Sequence, residues 1–131
     1  MPRTIQQSVV LPAPPDELFD AYLDVQRHAA ITGAPVQIGS VPGAQFYAFN
    51  GALSGRILDV VPKRLIVQTW RASHWTVADL DSILILRFSP DPAGGRIDVV
   101  HANVADHDYD GVNQGWEKYY WGPWRSYLTR P

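Results

Sequence analysis

The sequence predicts an α+β fold of the helix-grip kind: a curved antiparallel β-sheet of about six to seven strands, wrapped around a long C-terminal helix, with two short helices after strand 1. Three observations carry this. Residues 34–104 read as a run of extended, β-branched segments broken by short turns, and strands joined that way pair antiparallel. Helical periodicity interrupts the strands only once, just after the first. The last twenty or so residues are helical with an apolar arc nearly twice the ~100° that an ordinary surface helix needs, so this helix must be gripped on more than one side or have a partner.

A length of 131 residues suits one domain, 1–131, with a normal core. Eleven Lys and Arg against thirteen Asp and Glu leave a net charge of −2, which excludes the basic field that nucleic-acid or anionic-membrane binding needs. The chain has no cysteine, so disulfides, thiolate metal sites and a Cys nucleophile are all excluded. The opening Met1–Gln7 lacks a signal peptide's basic and apolar regions, and no run approaches eighteen apolar residues. The expected location is the cytoplasm, with no membrane contact.

In chain order, Thr4–Leu11 reads as the first strand, stopped by Pro12, Pro14 and Pro15. Pro15 suits the first position of a helix whose positive end holds Asp16 and Glu17, with Leu18, Phe19, Tyr22 and Leu23 at helical spacing. Asp24 caps a second short helix and Gly33 ends it. Residues 34–49 are extended. Gly51–Val61 and Leu65–Ala72 form a strand pair turned at Pro62–Arg64, and Ser82–Ser89 is a further strand. Pro90–Gly95 is a turn, and Arg96–Val104 is the last strand, with Ile97, Val99 and His101 on one face.

The C-terminal helix is expected to run from about Asp108 or Asp110 to Leu128. Val112, Trp116, Tyr119, Tyr120, Pro123 and Tyr127 share one side of its wheel, and Glu117, Trp121, Trp124 and Leu128 extend that side almost halfway round. Pro123 removes a backbone bond, clashes with the Tyr119 carbonyl and should bend the helix.

Several of these segments carry a resemblance to a known family. They are Phe46–Gly55 leading into Asp59-Val60-Val61-Pro62, then Ile66–Arg71 with Trp75 nearby, and finally Gly115-Trp116-Glu117-Lys118-Tyr119-Tyr120-Trp121. From about Pro12 to Leu128 the chain resembles the C-terminal domain of the activator of heat-shock protein 90 ATPase, of the START-like (SRPBCC, birch-pollen-allergen-like) superfamily. The resemblance implies the helix-grip fold and, by analogy with superfamily members, a cavity for apolar small molecules. A minority of such proteins catalyse cyclisation, dehydration or hydrolysis there. The eukaryotic activators also carry an N-terminal domain, for which 131 residues leave no room.

Chemistry in such a cavity requires a few converging polar groups. His101, on the inward face of its strand, is the candidate acid or base, and the competing reading is a hydrogen-bonded histidine between sheet and helix. Asn103, two residues on, is expected on the same face and with His101 would hold a ligand's polar end. Asp106-His107-Asp108-Tyr109-Asp110 invites a metal, yet the spacing fits no calcium loop, and carboxylates belong at a helix's positive end. Ser73-His74 and Asp79 lack the surroundings of a nucleophile elbow, and no phosphate loop is present. No metal or cofactor is therefore expected.

Trp70, Trp75, Trp116, Tyr119 and Tyr120 are read as an aromatic-walled cavity, the competing reading being plain core. Trp121, Trp124 and Leu128 either pack on the two short helices or form an exposed edge for a homodimer. The leading expectation is a non-enzymatic protein that binds a hydrophobic small molecule through Trp70, Trp75, His101, Asn103, Trp116, Tyr119 and Tyr120. The alternative is a chaperone-associated or stress-response interaction protein, and a cofactor-free cyclase using His101 is third.

Overall fold

The structure, a computed structural model, describes residues 1–131. Strand β1 (Arg3–Leu11) leads into α1 (Pro15–Leu23) and α2 (Val25–Thr32). Both helices begin and end where their local chemistry dictates. The Asp24 carboxylate accepts the Arg27 N–H at 2.9 Å to start α2. Gly33, at φ 74°, stops it in the left-handed conformation that glycine adopts without strain.

Six strands follow: β2 (Val36–Gln37), β3 (Gln45–Ala48), β4 (Leu53–Val61), β5 (Leu65–Ala72), β6 (Ser82–Asp91) and β7 (Gly94–Val104). With β1 they make one antiparallel sheet in the order β1-β7-β6-β5-β4-β3-β2. Alternation sends Ile66, Trp70 and Ala72 of β5, Leu84, Leu86 and Phe88 of β6, and Ile97 and Val99 of β7 into the core. The expected six-residue turn at Pro90–Gly95 is tighter than that, because β6 and β7 stay paired as far as Asp91 and Gly94. Pro90 is tolerated in a strand because β5 has already ended opposite Arg87, so no neighbour needs its missing N–H.

Two bulges bend the sheet. In β4, Ile57 and Asp59 face the consecutive residues Gln68 and Val67, so Leu58 is extra. In β7, the register passes from Ile5↔His101 to Arg3↔Val104, with Asn103 at φ 63°. Strands β4 and β5 also cross closely at Gly55, where a Cβ would sit 1.9 Å from the Thr69 carbonyl oxygen, so no side chain fits.

The C-terminal helix lies in the concave face. A 3₁₀ turn (Asp106–Asp108) enters α3 (Tyr109–Gly115), a π turn (Trp116–Trp121) follows, and α4 (Gly122–Leu128) completes the rod. The π turn is the helix's answer to Pro123. The Gly122 N–H bonds to the Glu117 carbonyl five residues back, which widens the turn where the proline ring would otherwise strike the Tyr119 carbonyl. The extra residue also re-phases the wheel. Trp121 and Trp124 rotate into the core, while Tyr119, expected inside, is 47% exposed. No helix is long and apolar enough to cross a membrane.

Candidate functional site

Between the sheet and the N-terminal half of the C-terminal helix lies a half-open cavity of about 430 Å³. Leu53, Trp70 and Ala72 wall it from the sheet, Phe49 and Ala52 from the β3–β4 turn, and Val112, Trp116, Tyr119 and Tyr120 from the helix. The polar lining is Ser73, His74 and Asp108. The aromatic wall is continuous, because Trp116 and Tyr120 have ring centroids 5.2 Å apart, Tyr120 and Phe49 6.1 Å, and Phe49 and Tyr119 5.5 Å.

Of the seven residues singled out by sequence, four line this cavity: Trp70, Trp116, Tyr119 and Tyr120. Tyr119 stands at its rim. Trp75 packs edge-on behind Trp70 at 5.6 Å and donates its indole N–H to Asp108 Oδ2 at 2.8 Å. His101 is fully buried behind Trp70 and Trp116, with ring centroids 4.8 and 5.8 Å away. The Ser82 hydroxyl donates its one proton to the Trp70 carbonyl oxygen at 2.6 Å, so the 2.8 Å contact to His101 requires His101 Nε2–H to donate to Ser82 Oγ. His101 is thus neutral with a bare, partnerless Nδ1, and burial lowers its pKa to about 3.

Asn103 does not join His101. The bulge at Asn103 breaks the alternation of β7, so Val104 rather than Asn103 turns inward, and the Asn103 amide donates to the Asp81 carbonyl at 3.1 Å outside. Of the two alternatives for Trp121 and Trp124, the structure shows packing against the short helices rather than an exposed edge. Trp121 stacks between Trp116 and Trp124 at 5.3 and 6.3 Å, and Trp124 is 1% exposed. Both rings are buried within the one chain, so they present no exposed apolar edge. The acidic run disperses: Asp106 approaches Arg3 at 3.9 Å, His107 pairs with Asp79 at 2.8 Å, and Asp108 faces Trp75 and His74. His74 thereby pairs with Asp108, not with Asp79.

Sequence reading missed a second buried group behind the cavity. His28 Nδ1–H donates to the Tyr22 carbonyl at 2.7 Å, which leaves Nε2 to accept the Tyr120 hydroxyl proton at 2.9 Å. The Tyr22 hydroxyl in turn donates to Gln68 Oε1 at 2.5 Å. Burial lowers the His28 pKa to about 4 and raises those of both tyrosines. Gln7 on β1 also clamps the helix, donating to the Asn113 carbonyl and side-chain oxygens at 2.8 Å and accepting from Trp121 Nε1 at 3.0 Å. The signal for His28 was its position three residues before the buried Ile31 on one helix face. For Gln7 it was its place between Ile5 and Val9 on the inward face of β1.

Residues 12–128 match the family described as Activator of Hsp90 ATPase homolog 1-like protein. An uncharacterised protein of Schizosaccharomyces pombe is 32% identical over 79% of this chain and 34% of its own length. The human activator of 90 kDa heat shock protein ATPase homolog 1 is 26% identical over 81% of this chain and 31% of its own. The chain therefore spans about a third of the length of these curated relatives. Among solved structures, an HSP90 activator of Plasmodium falciparum superposes with a TM-score of 0.83 at 20% identity, over 100% of this chain and 98% of that one.

Proposed function

The chain belongs to the Activator of Hsp90 ATPase homolog 1-like protein family, and from that premise we propose that it acts without catalysis, by holding an apolar small molecule between the sheet and the C-terminal helix. The observation that carries this is the aromatic-walled cavity of about 430 Å³, large enough for a drug-sized ligand. Trp70, Trp116, Tyr119 and Tyr120 are the proposed contacts, with Trp75 and His101 bracing them from behind. A non-catalytic role is supported by His101, which is neutral, sealed from the cavity and bonded to Ser82. Native mass spectrometry of the gently purified protein, beside a denaturing run, tests the reading. Extra mass lost on denaturation supports it. A bare mass for both wild type and a folded Trp116→Ala variant, with no uptake of added apolar ligands, would sink it.

A second reading, association with a chaperone, draws on the likeness to the human activator and on one surface. The β5–β6 loop exposes Val77 completely and Leu80 by 74%. Arg71 holds that loop in shape, donating to the Thr76 carbonyl at 2.5 Å and the Asp79 carbonyl at 2.6 Å. A Val77→Ser, Leu80→Ser double variant should lose co-purification with an Hsp90-type chaperone while retaining the fold. Retention of binding by that variant counts against this surface.

A further inference from the structure

The cavity's charge is as informative as its shape. No Lys or Arg lines it, and its one full charge is the Asp108 carboxylate. Asp108 stands at the N-cap of α3 but makes no capping bond there. Instead its Oδ2 is held by the Trp75 indole N–H at 2.8 Å and lies 3.2 Å from the His74 ring Nε2. The side chain is only 19% exposed. A rigid, poorly solvated carboxylate therefore opens onto a wall of five aromatic rings: Phe49, Trp70, Trp116, Tyr119 and Tyr120.

On the reading that this cavity holds a small molecule, we propose that its guest is cationic: an amphiphile whose alkylated ammonium group lies among these rings beside Asp108. The negative π faces attract a cation within about 6 Å of a ring centroid. A carboxylate in a low-dielectric wall adds a long-range pull that water would largely cancel. A neutral guest would strip water from Asp108 without replacing it, and an anionic guest would meet direct repulsion. Alkylation matters because the wall is mostly carbon: a primary ammonium needs three acceptors there, whereas a methylated one is weakly hydrated. Tyr119 already has Lys118 Nζ 5.2 Å from its ring centroid, so the four remaining rings carry the site.

The test compares benzyltrimethylammonium with neopentylbenzene, its neutral carbon isostere, by quenching of tryptophan fluorescence. Wild type should bind the cation about tenfold more tightly, the strength of one or two well-placed cation contacts. Asp108→Asn, which still accepts from Trp75, should reduce cation affinity about tenfold and leave the hydrocarbon within twofold. As a check that needs no variant, raising salt from 50 to 500 mM should weaken the cation alone. Equal affinities in wild type, or a variant that loses both probes alike, would overturn the charge inference and leave the cavity reading standing. If neither probe binds, the cavity reading fails and this inference falls with it.

Discussion

At one end of the C-terminal helix, Trp121 and Trp124 stack at 6.3 Å, both buried, and α4 lies against α2 and β1. At the other end Trp116 and Tyr119 belong to the same helix and the same class of side chain, yet they border a cavity of about 430 Å³. Aromatic content does not separate the two ends. What separates them is a third layer: α1 and α2 fold back over the sheet at the α4 end, whereas the main neighbours of α3 are the turns that flank it in sequence. A helix too apolar for one contact face thus spends half its surplus on a sealed core and half on an open wall.

The largest test of this contrast is truncation at each end. Trp124→Ala should cost about 3–5 kcal/mol in urea denaturation, because it empties a sealed site. Tyr119→Ala, at the half-exposed rim, should cost less than about 1 kcal/mol. Equal costs would show that the cavity closes in solution.

Acid should reveal the two buried histidines next. Both have folded pKa values, about 4 for His28 and about 3 for His101, that lie below the 6.5 of an unfolded chain. Between these values the unfolded chain binds more protons, so stability is intact above pH 6.5 and is lost as the pH falls below it. Each histidine should contribute roughly 2 kcal/mol of loss between pH 6.5 and 5, read as a falling urea midpoint. His28→Gln or His101→Gln should each flatten that slope by about half, and an unchanged slope would place the titration elsewhere.

Tyr120 sits at the boundary between the two ends, with a ring on the cavity and a hydroxyl in the sealed network. Tyr120→Phe keeps the ring but strands His28 Nε2, so it should cost about 1–2 kcal/mol in stability. Binding of an apolar probe by that variant should change by less than about threefold. The smallest effect is expected at the β7 bulge. Asn103→Gly suits the left-handed bulge but loses the bond to Asp81, and these nearly cancel within about 0.5 kcal/mol.

Much of the site was legible because strands β5, β6 and β7 alternate regularly. Trp70 and His101 could be placed on the inward face simply by counting. Counting failed one step later at Asn103, where an inserted residue in the left-handed conformation reset the phase. The same kind of error misplaced Tyr119. An ideal wheel of 3.6 residues per turn puts Tyr119 in and Trp124 at the margin, and the π turn ahead of Pro123 exchanges them. Pro123 itself signalled the disturbance, but not whether a bend or a widened turn would absorb it.

By itself the sequence determined the order of elements, the helix stops at Asp24 and Gly33, the antiparallel run of strands and the presence of an over-apolar final helix. These follow from caps, turns and periodicity, which act over a few residues. Only the tertiary structure decided where the bulges and the π turn reset that periodicity, which histidines became sealed, and which aromatics enclosed space. Those outcomes depend on contacts between residues up to 114 positions apart, as between Gln7 and Trp121, and local preference carries no information about them.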